Sequence, residues 1–104
     1  MPLLGASFLW SGEAIATCSS TAPTSGTTVT CDTSAPNPST TPVQAAAGSS
    51  NVTVNVLSGA QLTVNGANAI GLFTSSIATN SGTLTITGNG STGISAEGNG
   101  NQLT

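Results

Sequence analysis

The chain has 104 residues, enough for one small domain, and no Lys, Arg, His or Tyr; only Glu13, Asp32 and Glu97 carry side-chain charge, for a net −3. With no basic residue to neutralise phosphate or meet an anionic lipid surface, the composition excludes the usual chemistry of nucleic-acid and membrane-surface binding. No apolar run reaches the roughly 18 residues of a membrane-spanning helix, so direct insertion by this chain is not expected. Low charge is not disorder here, because the apolar residues are patterned to bury strands.

The first segment, MPLLGASFLWSGEAIATC, carries an apolar patch over Leu3–Trp10 and then Ala14-Ile15-Ala16. That Ala-x-Ala suits signal-peptide cleavage after Ala16, leaving Thr17-Cys18 as the mature start. The basic region that normally opens such a signal is missing. Residues 1–16 are therefore expected to be a truncated export signal, the alternative being a buried N-terminal strand. IATC is also similar to a lipoprotein acylation box, but Thr17 stands where that motif takes Gly, Ala or Ser.

Cys18 and Cys31 allow three readings: a disulfide in an exported protein, two unrelated thiols, or a metal pair. A structural zinc takes four Cys or His ligands, and none are left over. The expectation is a Cys18–Cys31 disulfide, with the Cα atoms within about 7 Å.

Residues 17–47 are rich in Ser, Thr, Pro and Ala. TTVTC (27–31) suits one short strand. Pro36, Pro38 and Pro42 rule out a central strand or helix through them, so 32–47 reads as an extended connector. From residue 48 to 104 the texture changes. Period-2 runs appear at Val52/Val54/Val56, Leu62/Val64 and Leu84/Ile86, followed by apolar anchors at Ile70, Leu72, Ile77, Ile94 and Leu103. Gly and Asn fall between them, at turns. AIGLFTSSIA (69–78) has partial helical spacing, but its content favours strand.

SGAQLTVNGANAIGL (58–72) aligns with SGTLTITGNGSTGIS (81–95). Leu62 matches Leu84, Val64 matches Ile86, Gly66 matches Gly88 and Ile70 matches Ile94. SGTTVT (25–30) opens like the second copy. A period in the low twenties suits the coils of a β-solenoid. The fold expected is an all-β, parallel right-handed β-helix with an irregular N-terminal segment; the alternative is a β-sandwich. Val52, Val54, Leu62, Val64, Ile70, Leu84, Ile86 and Ile94 should point into one narrow core.

Few motifs carry chemistry. GNGSTG (88–93) spells G-x-G-x-x-G after a strand, but the dinucleotide site needs a helix next, and Gly98 and Gly100 interrupt one. Calcium-binding nonapeptide repeats need Asp at fixed places, and these turns have none. A serine nucleophile has no His or Lys as base. Asp32 and Glu97 lie too far apart in sequence to suggest a carboxylate dyad. No cofactor, metal or catalytic residue is therefore expected. Thr83, Thr85 and Thr87 form a T-x-T-x-T run that suits an ice-binding face only if successive coils repeat it, and the first copy offers Thr63 alone. NVT (51–53) and NGS (89–91) are formal N-glycosylation sequons.

An export-type start, CSSTAPTSGTTVTC, a Pro/Thr spacer, GSSNVTVNVLSGAQL and Gly/Asn-rich repeats together resemble the N-terminal part of passenger domains of Gram-negative autotransporters, of the large adhesin-like type. The resemblance covers nearly the whole chain. It implies a β-helical, non-enzymatic module at the cell surface or outside the cell. A C-terminal β-barrel of a longer parent would export it, and a host or neighbouring-cell ligand would be met through that parent. The ending GNGNQLT falls mid-pattern, so the chain reads as a fragment whose exposed coil edge can self-associate. An alternative is part of a β-helix enzyme with catalytic residues elsewhere in the parent.

Overall fold

The computed structural model describes residues 17–104. The expected export signal, with its cleavage point at Ala16, lies outside the described residues. Nine short strands follow: β1 Thr28–Cys31, β2 Val43–Gln44, β3 Thr53–Val56, β4 Gln61–Asn65, β5 Ile70–Leu72, β6 Ile77–Asn80, β7 Thr83–Thr87, β8 Ile94–Ala96 and β9 Gln102–Leu103. Every strand-to-strand pairing is parallel. The chain is a β-solenoid of about three coils. The sandwich alternative is excluded, since its sheets would be antiparallel.

Three sheets form the walls. β1, β3, β6 and β9 stack in one, β4 and β7 in a second, and β2, β5 and β8 in the third. On the four-stranded wall Thr28, Thr53, Ile77 and Gln102 follow one another at 25, 24 and 25 residues. The repeat read from the sequence is confirmed position by position: Leu62 lies over Leu84, Val64 over Ile86, and Ile70 over Ile94.

Alternation puts one side of each strand inside. Val29, Val43, Val52, Val54, Leu62 and Ile70 are fully buried, and Val56, Val64 and Leu72 nearly so. Leu84 and Ile94 are half-buried and packed against this core. Ile86 is half-buried beneath Val64. All three sit in the last complete coil, with no strand of the described chain below them.

Three expectations are corrected. The stretch expected as connector supplies most of the first coil: Ser39 bridges to Leu62, and β2 pairs with β5. The prolines cluster at its corner, and β2 is short enough to start just after Pro42. SGTTVT does not align with SGTLTIT. Its strand β1 stacks on β3, one wall away from β7, because T-V-T-C fits the T-V-N-V pattern equally well. Ile77 and Leu103 are not buried anchors but 40% and 47% exposed. Ile77 falls on the outer phase of β6, while Leu103 faces the open lower end.

Candidate functional site: a strapped end and uncharged corners

The distinctive local structure is a strap, residues 17–23, laid over the first coil. Along residues 27–31, alternate backbone groups point down to residues 53–57: Thr27 O accepts from Thr53 N and Cys31 O from Leu57 N. The intervening groups point up and would be unpaired. The strap takes them. Ser19 N donates to Thr30 O at 2.9 Å, Asp32 N to Thr17 O at 2.7 Å, and Thr30 N to Ser19 Oγ at 3.0 Å. The strap then crosses to the third wall, where Gln44 N donates to Thr21 O and Ala46 N to Pro23 O, both at 2.9 Å.

Cys18 and Cys31 form a disulfide, as expected, with Cα atoms 3.8 Å apart. They face each other as an antiparallel bridge, flanked on both sides by the Ser19–Thr30 and Asp32–Thr17 bonds. This is the non-hydrogen-bonded kind of pair, in which opposed residues approach most closely. Cys31 is fully buried and Cys18 4% exposed. Thr17 is buried too, and its hydroxyl donates to the carbonyls of Ser34 and Pro36. Pro23 is fully buried at the other end of the strap.

The corners explain a polar composition without charge. Side chains of one coil hold backbone groups of a neighbouring coil, above or below. Asn37 Oδ1 accepts from Gln61 N at 2.8 Å, and its amide donates to Gly59 O at 3.1 Å. Asn68 Oδ1 accepts from Thr92 N, Ser25 Oγ from Ser50 N, and Asn101 Oδ1 from Ser76 N. Ser76, fully buried, accepts from Val52 N. Neutral acceptors satisfy these groups without burying a charge, which would cost far more.

The other candidate residues are not brought together. Asp32 follows β1 in the first coil and Glu97 follows β8 in the third. Asp32 is exposed, and the Ser34 backbone N–H, with help from its hydroxyl, holds the carboxylate below its ordinary range. Gly88, Gly90 and Gly93 lie between β7 and β8, so a strand follows the G-x-G-x-x-G motif and no helix N-terminus faces it. Among the described residues there is no enclosed pocket and no group of three or more His, Cys, Asp or Glu.

Thr83, Thr85 and Thr87 are exposed on the outer side of β7, and lie in register with Gln61, Thr63 and Asn65. Only Thr63 over Thr85 repeats threonine, so the ladder that an ice lattice would require is broken at both flanking columns. The role of Thr21 and Pro23 was hidden in the sequence by the surrounding Ser/Thr/Pro tract. The signal that could have pointed to it was the Cys18–Cys31 pair, since Cys31 ends the TTVTC strand and a bond to it brings Cys18 against that strand. Compared with protein-family models, curated proteins and solved structures, the chain matches none.

Proposed function

We propose that the chain is a structural and adhesive module of an exported surface protein: the first coils of an autotransporter-type passenger. Its work is mechanical, holding outer faces of Thr, Asn and Gln away from the cell. The observation that carries this reading is the strapped first coil. A disulfide needs an oxidising compartment to persist, and the strap occupies the edge by which a solenoid would otherwise pair at random. A stack of coils bound by neutral corners also suits folding after export, by local pairing of coil on coil.

The test is to place residues 17–104 at the head of an exported passenger in a Gram-negative host and probe intact cells with antibody to this segment. Surface labelling lost on protease treatment, with Cys18 and Cys31 resistant to alkylation, is the expected result. Retention inside the cell with two free thiols would contradict it.

A further inference from the structure

We propose that Asn89 is a modification site, whose side-chain amide is converted to a carboxylate by the backbone nitrogen of Gly90, ahead of the other Asn-Gly pairs in the chain. There are three such pairs: Asn65-Gly66, Asn89-Gly90 and Asn99-Gly100. Glycine suits the reaction because it has no Cβ to keep its nitrogen away from the Asn side chain. The three pairs are alike in exposure and backbone. Each Asn is exposed, and the glycines have φ of +77°, +77° and +81°.

What separates them is the peptide group between Asn and Gly. Ring closure needs that group to turn until the glycine nitrogen faces Asn Cγ, and a hydrogen bond at either of its ends holds it. Gly66 N donates to Thr87 O at 2.8 Å. Asn99 O accepts from Ser75 N at 2.9 Å. Among the described residues, Asn89 O and Gly90 N have no such partner. A Cβ built on Gly90 would meet nothing within 4 Å, so the group has room to turn. Gly66 is equally open, which leaves the hydrogen bond as the difference.

The register explains the unpaired peptide. Stacked residues are 22 apart at Asn65 and Thr87 but 24 apart at Ile70 and Ile94. The corner between β7 and β8 is therefore two residues longer than the corner above it. Bonds to the upper coil stand on both sides of this surplus, Gly66 N to Thr87 O and Thr92 N to Asn68 Oδ1. Asn89 and Gly90 fall between them and reach nothing in the coil above.

The chemistry needs water alone. Gly90 N gives its proton to solvent base and attacks Asn89 Cγ. The Cγ–Nδ2 bond breaks, ammonia leaves, and a five-membered succinimide joins the two residues. Water then opens the ring at Cγ to give aspartate, or at the main-chain carbonyl to give isoaspartate. One water enters, one ammonia leaves, and no electron is transferred. The product adds a carboxylate to a surface that holds only Asp32 and Glu97 among the described residues. This site does not depend on the surface location argued above.

The experiment keeps the dilute full chain in a warm, mildly alkaline buffer, where more of the glycine amide is deprotonated. Anion exchange separates chains by the carboxylate gained. Fragmentation of the intact chain by mass spectrometry locates the change, since there is no Lys or Arg for tryptic cleavage. Asn89 is expected to convert about fivefold or more faster than Asn65 and Asn99, the factor for one backbone hydrogen bond that must open first. In urea-unfolded chain the three sites should converge on one rate. Asn89→Gln, whose longer side chain would have to close a six-membered ring, should remove the early acidic form. Conversion of Asn65 or Asn99 as fast as Asn89 in the folded chain would overturn the proposal. So would an order of rates that persists in urea, or an early acidic form that survives Asn89→Gln.

Discussion

Asn, Ser and Gly do in this chain what charged side chains do on most protein surfaces, and the corners show why. At each corner the backbone leaves the wall and its polar groups lose their ladder partners. A short neutral acceptor, Asn37 or Asn68, reaches the next coil and replaces the lost bond. Glycine contributes by what it omits. Gly82 sits beneath the corner above it, where an added Cβ would press on Ala60 O and lie 2.8 Å from Leu57 O and 3.0 Å from Val56 Cγ1. Gly82→Ala is expected to cost about 1–3 kcal/mol, the usual penalty for overpacking against groups that cannot move aside. Ser81→Ala, next door and exposed, should fall within about 0.5 kcal/mol of the parent. Urea unfolding of both variants checks this, and equal midpoints would show that the corner relaxes. The presence of turns at these places was legible in the sequence. Which neighbour each Asn served was not, because its partner lies about one coil away and depends on the register.

At the scale of the strand, the pattern was legible where two copies could be laid side by side. Leu62/Leu84 and Ile70/Ile94 were paired from sequence because both copies keep their large residue at the same place in a period-2 run. The first coil escaped because it lacks such a run: it has a single bridge at Ser39 where the second has β4. Val43 is as buried as Ile70, yet a two-residue strand beside Pro42 carries no alternation to read. Burial also falls along the stack, and this sets a measurable gradient. Leu62 is fully buried, whereas Leu84 has one side open. Leu62→Ala should destabilise by about 3 kcal/mol, the transfer and cavity terms together. Leu84→Ala should cost about half as much, in proportion to the smaller area it buries. Denaturant titration of the pair decides it; equal losses would mean that the lower coil is closed in solution by another surface.

For the whole molecule, the two ends of the stack are unlike, and that difference governs how oxidised chains meet. The upper edge is occupied by the strap and held by the cystine. The lower edges of β7 and β8 have no paired strand among the described residues. In a polypeptide of residues 17–104 alone, the strap closes the upper edge to head-to-tail pairing, and lower edge against lower edge remains. Such a contact uses the same surface on both copies, so it closes by twofold symmetry, with strands antiparallel across the junction, and stops at a dimer. Charge does little to oppose it. With Asp32 and Glu97 both exposed in corners and no cation in the sequence, repulsion is weak and screened within about 10 Å at 0.1 M salt. Sedimentation equilibrium of the oxidised chain should show a monomer–dimer equilibrium that moves with protein concentration and hardly at all with salt. Because Leu103 stands 47% exposed at that end, Leu103→Lys should shift the equilibrium toward monomer without altering the far-ultraviolet spectrum. Oxidised chains that grow past the dimer would show that the strap does not close the upper edge. A monomer at every concentration would show that the lower coil hides its own edge.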